Sequence, residues 1–330
     1  MNIIRLSVFF CLFLPVWSFA QDLHYSQFYL HPLHFNPAQT GNFQGMWRAG
    51  GIYRGQWASV PVNYRSFGGS FDYKLRQGET QTQALGLTLQ HDEAGDGGLN
   101  WTQIGLSGAW AQALSETQTI AAGFGLSVVQ RSVDLSGLRF KNQWNGDVLD
   151  PSAPSGELLN RNSGLSPSLS AGFNWHYQNP DSRNSADLGL GAAHLNRPRI
   201  NFADDEKQQL PMRFVVSARG ALQMTEQTDL VGFGLGQLMD KNREIIAGAG
   251  LRRWLDPLTA LQFSLAWRVG DAVVPAVQLE RDSWTFGLSY DWNISAFDQA
   301  TRGRGGIELT AVYRALPAPP VKALKTCPVF

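Results

Sequence analysis

The sequence predicts an all-β fold, a transmembrane antiparallel β-barrel of the outer-membrane type with about fourteen strands. Three observations predict it. Apolar residues alternate with small or polar ones through long segments, which is the period of a strand. The connections between those segments alternate in length along the chain. Tryptophans gather near the segment ends, where an interfacial aromatic girdle needs them.

Composition narrows the classes. The 330 residues carry 27 Lys+Arg against 27 Asp+Glu, a zero balance with no electrostatic footprint for nucleic acid. Charged residues make up 16%, below the roughly 25% of soluble domains. With 34 Gly and 11 Trp, this is a poor composition for a cytosolic enzyme. Residues 1–20 read as a secretory signal peptide: Arg5, an apolar Leu6 to Val16, then Ser18-Phe19-Ala20 as a small-x-small cleavage site before Gln21. Removal of Cys11 with it leaves Cys327 alone, so no intramolecular disulfide or cysteine zinc site forms. No run of 18 apolar residues follows Ala20, which excludes membrane-spanning helices.

The segments lie near 47–57, 66–74, 82–91, 100–113, 119–131, 166–177, 185–194, 212–224, 229–239, 243–254, 260–269, 272–279, 284–292 and 306–316. Most match the ~9–11 residues of a tilted transmembrane strand, not the ~5–6 of a soluble one. Phe67, Phe71 and Tyr73 share a face, as do Leu85, Leu87 and Leu89. Ile120, Phe124, Leu126 and Val128 form another face, and Trp284, Phe286, Leu288, Tyr290 and Trp292 another. These faces are assigned to lipid. The opposite, small and polar face carries Arg54, Asp72, Arg131, Arg219, Glu244, Arg268 and Glu308, placed in the lumen because an Arg or Lys at mid-depth in lipid costs about 2–4 kcal/mol. Gly50, Gly68, Gly86, Gly123, Gly125 and Gly172 share that inward face and make room there.

Every connection longer than eight residues is odd-numbered, and the even-numbered ones stay between four and seven. Barrels have short periplasmic turns and long external loops, so both barrel termini are expected on the periplasmic side. Trp47, Trp57, Trp101, Trp110, Trp254, Trp267, Trp284 and Trp292 are read as girdle residues. Residues 21–46 do not alternate, and Pro32 and Asn36-Pro37 break any strand, so this segment is a lumen plug or a periplasmic arm. Residues 47–316 form the barrel. Residues 132–165 are the longest loop. The tail 317–330 has four prolines and is expected in the periplasm, with Tyr313 as the aromatic of the last strand.

Chemical constellations are weak. Gly232-Phe233-Gly234-Leu235-Gly236 precedes no helical pattern, unlike a phosphate-cradling loop. His24, His31 and His34 cluster without a carboxylate or cysteine at ligand spacing, so packed or solvated histidines are expected and no metal. Asp92-Glu93 with Asp96 reads as a polar hairpin, with weak calcium binding as the alternative. Asp204-Asp205-Glu206 has no apolar pocket to raise a pKa. No catalytic set emerges; neither an enzyme activity nor a cofactor is expected.

A set of small motifs is more specific in its order than any one piece. It comprises Gln21-Asp22, Tyr25-Ser26-Gln27-Phe28, Pro32-Leu33, Asn36-Pro37-Ala38 and Thr40-Gly41, then Tyr53-Arg54-x-Gln56-Trp57. Further on come Leu188 to Pro198, Ser289-Tyr290-Asp291 with Ile307-Glu308-Leu309, and Cys327-Pro328-x-Phe330. Together these resemble the PorP/SprF family of outer-membrane proteins in type IX secretion and gliding machinery. Leu23 departs from the family's proline, and the loop 132–165 does not align clearly. The resemblance implies a non-enzymatic component that helps export, or anchors at the surface, large adhesins with a type-B C-terminal sorting domain. It also implies contacts with outer-membrane lipid, the periplasmic ring and peptidoglycan-linked components. Asn36, Pro37, Tyr53, Arg54, Gln56, Trp57, Cys327 and Phe330 are the motif positions that would contact partners or hold structure. A porin or plugged uptake channel shares the strand pattern and is the alternative; a secreted β-sandwich is a third reading.

Overall fold

The computed structural model describes residues 23–56, 64–95, 99–133, 139–154, 156, 163–199, 209–295 and 304–316. The signal peptide, Trp57 and the tail with Cys327 and Phe330 lie outside the described residues.

Fourteen antiparallel strands close into one barrel. They are β1 (Trp47–Gln56), β2 (Tyr64–Gln77), β3 (Gln81–Ala94), β4 (Leu99–Ala113), β5 (Gln118–Ser132), β6 (Ser163–Gln178) and β7 (Ser185–Ala193). They continue with β8 (Arg213–Gln223), β9 (Thr228–Met239), β10 (Asn242–Asp256), β11 (Thr259–Arg268), β12 (Ala272–Arg281), β13 (Trp284–Asn293) and β14 (Arg304–Arg314). Each strand pairs with its sequence neighbours, and β1 pairs with β14 in register Arg48↔Arg314 to Gln56↔Gly306. Closure leaves no unpaired edge, the condition for β structure in a medium without water. No helix among the described residues is long and apolar enough to cross a membrane.

Side-chain parity follows the pattern read from the sequence. Leu85, Leu87, Leu89, Leu106, Phe124, Leu126, Phe263, Leu265, Phe286 and Leu288 are exposed on the outer wall. Arg54, Asp72, Arg268 and Glu308 are buried on the inner one. The aromatics form bands. At the end where β1 begins, Trp47 lies 5.0 Å from Tyr313 and 5.9 Å from Phe71, and Trp284 lies 5.0 Å from Tyr313. Trp267 and Trp292 stand on the outer wall at the other end. Eight residues separate Trp284 from Trp292; at ~3.4 Å per residue and ~40° tilt the rings sit roughly 20 Å apart in height, near the ~25 Å apolar band of such barrels.

Two expectations are corrected. Trp101 and Trp254 do not join the girdle. Both share the inward parity: Trp101 meets His194 edge-on at 6.3 Å, and the Trp254 indole N–H donates to the buried Asp229 at 2.8 Å. Nor is the lumen uniformly small and polar. Val215, Phe233, Leu235 and Ile246 face inward on β8–β10 and join a buried cluster with Tyr25, Phe28, Tyr29, Leu30 and Phe35. A lumen that holds a folded segment needs an apolar wall for that segment to bury against.

The even-numbered connections, such as 114–117, 224–227 and 282–283, define a short-turn end; the opposite end carries the long loops.

Candidate functional site

Residues 23–46 fill the lumen. Three single-turn helices, Phe28–Leu30, Pro32–His34 and Pro37–Gln39, succeed one another there. The prolines explain the shape: Pro32 and Pro37 each occupy a first helical position, where a missing N–H costs nothing, and each forbids extension from the preceding turn. Asn36 caps the third turn, its side chain accepting from the Ala38 N–H at 2.9 Å. The polar backbone of such irregular chain is tolerated at membrane depth only when enclosed by protein.

The direction of the plug is set by its contacts. The His24 carbonyl accepts from Arg54 at 3.2 Å, close to the long-loop end of β1. The Gly41 N–H donates to Asp72 at 2.8 Å, and Asp72 also holds Arg48, near the start of β1. The plug therefore descends from the long-loop end to the short-turn end, and the chain reverses to enter β1.

Near the long-loop end is a buried ionic cluster. Glu308 accepts the backbone N–H groups of Ser26 (2.9 Å) and Gln27 (2.6 Å). Arg54 bridges Asp291 at 2.6 Å and Glu308 at 3.5 Å. Arg268 pairs with Asp291 at 2.8 Å and with Glu244 at 3.3 Å, and donates to the Ser26 hydroxyl. Ser26 Oγ in turn donates to Asp291 at 2.7 Å. All four buried charges, Arg54, Arg268, Asp291 and Glu308, thus find opposite charge and hydrogen bonds, the condition under which buried ions are tolerated.

Several mid-lumen contacts join neutral groups. Tyr25 donates to Gln90 at 2.8 Å, and Gln90 meets His31 Nε2 at 2.6 Å. His31 is fully buried, and its Nδ1 has no hydrogen-bond partner among the described residues. Burial, reinforced by Arg48, pushes the His31 pKa down to about 4. Burial raises that of Tyr29 to about 12. Gln39 donates to Asn174 at 2.7 Å, Thr40 shares a 2.8 Å bond with Ser107, and Asn42 donates to Asp187 at 2.8 Å.

Glycines on β3–β7 bring the plug against the wall. A Cβ at Gly172 would collide with Asn36 Oδ1, one at Gly191 with the Phe35 carbonyl, and one at Gly123 would stand 2.5 Å from the backbone of Pro37 and Ala38. The plug thus packs between a glycine wall and an apolar wall.

Among the motif positions, Asn36 and Pro37 lie where the plug meets β5 and β6, and Arg54 and Gln56 lie on β1 beside the start of the plug. Gln56 turns its carboxamide oxygen to Arg54, 2.7 Å from Nε, in the orientation that satisfies both groups. Tyr53 has the opposite parity and packs on Phe67 at 5.0 Å on the outer wall. The inward charges of the sequence reading included Arg54, Arg268 and Glu308 but not Asp291, the common partner of the two arginines, nor Arg213, which holds the His34 carbonyl at 2.8 Å. Parity on β13 and β8 was the available signal for both. His24, His31 and His34 lie within the plug, and no group of three or more His, Cys, Asp or Glu among the described residues could hold a metal.

No curated protein sequence matches the chain. Among solved structures, the Pseudomonas putida toluene transporter TodX is similar over 88% of this chain and 94% of its own, with TM-score 0.50 at 10% identity. The TodX monoaromatic hydrocarbon channel deltaS2 mutant gives 0.51 at 11% identity over the same shares. The Ralstonia pickettii toluene transporter TbuX gives 0.49 at 10% identity, over 86% of this chain and 92% of its own. At such identities the likeness is one of fold. The family model for the type IX secretion system membrane protein PorP/SprF matches residues 17–313, nearly the whole barrel together with its plug, so the chain is an outer-membrane barrel that belongs to the PorP/SprF family.

Proposed function

We propose that this barrel is a closed anchoring component of the type IX machinery, not an open pore, and that it works without catalysis. It assists the export or surface retention of large adhesins with a type-B C-terminal sorting domain, and supports gliding where the cell glides. Its long loops face the exterior. Its short turns and the tail 317–330 face the periplasm, where the periplasmic ring and peptidoglycan-linked components bind. The observation that carries this reading is the plug, held by Glu308, Asp291, Asp72 and Arg213 across the whole depth of a lumen that a conducting porin would keep open. In this reading Asn36, Pro37, Arg54 and Gln56 serve the plug, and partner contact falls to the loops, Trp57 and the tail with Cys327 and Phe330.

The test is capture of the native protein from detergent-solubilised outer membrane, with identification of what accompanies it, and planar-bilayer recording of the same preparation. Co-purifying adhesin or secretion components with negligible steady current support the proposal. Large steady currents from the intact protein, without such partners, would move it to the porin or uptake-channel alternative.

A further inference from the structure

Below the plug, at the short-turn end, the barrel opens into a vestibule of about 670 Å³. Its floor is the plug segment Thr40–Gln44, and its wall carries Lys74, Arg183, Arg219, Arg252 and Arg314 against the carboxylates of Asp187, Glu280 and Asp282. The carboxylates and the guanidiniums there are unequally served. Asp229 already accepts from Arg183 (2.9 Å), Arg252 (3.0 Å) and the Trp254 indole (2.8 Å). Asp187 is met by Asn42 at 2.8 Å and His176 at 2.9 Å. Glu280 accepts from Gln278 at 2.7 Å, and its two arginines stand at 3.5 Å (Arg252) and 3.9 Å (Arg314), beyond hydrogen-bond reach.

The surplus lies with the donors. Among the described residues Arg314 Nε has no hydrogen-bond partner, and the group makes a 3.3 Å hydrogen bond to Thr285 beside its 3.9 Å ion pair with Glu280. Arg219 rests over the Tyr29 ring at 5.3 Å. Arg219, Arg48 and Arg252 repel the Arg314 charge, against the attraction of Glu280. Like charges held together on a rigid wall, with N–H groups to spare, are a standing demand for oxyanions, and guanidinium–carboxylate bonds are among the strong ones.

We infer that the short-turn vestibule is a binding site for an acidic peptide segment, whose side-chain carboxylates engage Arg219 and Arg314. A peptide fits better than a small ion because a vestibule of about 670 Å³ leaves room for several side chains beside the guanidiniums. The volume lies within the ~300–1,000 Å³ range of ligand sites. The site does not depend on which side of the membrane the vestibule faces.

The experiment uses the full-length protein in detergent or nanodiscs and a fluorescent hexaglutamate peptide, read by anisotropy. Hexaglutamate should bind, hexalysine should not, and the Arg219→Gln/Arg314→Gln double variant should weaken binding about tenfold or more. Arg281→Gln, outside the vestibule, is the control. Heat-modifiable gel mobility verifies that each variant is a folded barrel. Unchanged binding in the double variant, equal binding of hexalysine, or inorganic pyrophosphate competing at the peptide's own concentration would each overturn the assignment.

Discussion

Glu308, on the last strand, accepts a 2.6 Å hydrogen bond from the backbone N–H of Gln27, 281 residues earlier in the chain. The same carboxylate takes the Ser26 N–H at 2.9 Å. One side chain therefore fastens the start of the plug to the seam where the barrel closes. Glu308→Ala leaves the Ser26 and Gln27 N–H groups unpaired in a buried site, at about 1–3 kcal/mol for each such group, while Arg54 keeps Asp291 at 2.6 Å. Transient openings in planar bilayers are expected from this variant, where the native protein is silent. Deletion of residues 21–44 should give a steady conductance. If both currents match the native baseline, the plug does not seal the lumen.

The glycine wall gives an independent handle on the same contact. Gly123→Val puts two methyl groups against the Pro37–Ala38 backbone, which has no rotamer with which to yield. The expected cost is about 1–3 kcal/mol, taken in the plug because the ladder around Gly123 is continuous with both neighbouring strands. Protease added to the purified barrel should cut the plug of this variant faster than that of the parent, with strand content by circular dichroism unchanged.

Lipid-facing parity predicts a contrast between two arginines. Leu126→Arg, on the exposed outer wall of β5, should lower unfolding free energy in vesicles by about 2–4 kcal/mol if near mid-depth. Thr119→Arg, on the same strand but lining the vestibule, should be close to neutral. Equal penalties would mean that the inner and outer faces are misassigned.

His31 makes plug stability depend on pH. Its folded pKa of about 4 lies below its ordinary value of 6.5. The unfolded or released plug therefore binds a proton that the docked one refuses. The docked state is fully favoured above pH ~6.5 and weakens as pH falls towards 4, by up to about 3 kcal/mol. Protease sensitivity of the plug should rise across that interval, and His31→Asn should flatten the dependence. A native protein whose plug is equally resistant at pH 7 and pH 4.5 would refute this linkage.

Topology is testable by thiol labelling in cells. With Cys327→Ser as background, Asp240→Cys in the β9–β10 hairpin should label in intact cells. Ser115→Cys in the β4–β5 turn, and the native Cys327, should label only after the outer membrane is permeabilised. The reverse pattern would invert the barrel.

The fourteen strands were legible because each carries a period-two pattern long enough to outlast the uncertainty at its ends, and their even number is what lets β1 and β14 pair antiparallel. Inward placement of Arg54, Asp72, Arg268 and Glu308 was legible from the cost of a charge in lipid. Trp101 was misplaced because position at a strand end was allowed to outweigh parity: it shares a face with Gln103, not with Ile104, Leu106 and Trp110. The pairing of Ser26 with Glu308 and Asp291 was not legible. It joins residues more than 260 positions apart, and nothing local to Ser26 marks its partner. The course of the plug was equally hidden, since its prolines announce where strand is impossible and say nothing about which way the turns run.

The plug comes before β1, yet its fastening lies on β14, and β1 and β14 are the strands that close the ring. The first turn of the plug therefore acquires its final address only when β14 arrives. A chain interrupted before Glu308 would have neither a seam nor a seat for Ser26 and Gln27, and would present a loose N-terminal arm to periplasmic proteases. Closure around its own leading segment thus makes the finished barrel a record that synthesis ran through β14, a completeness check written into the order of the chain.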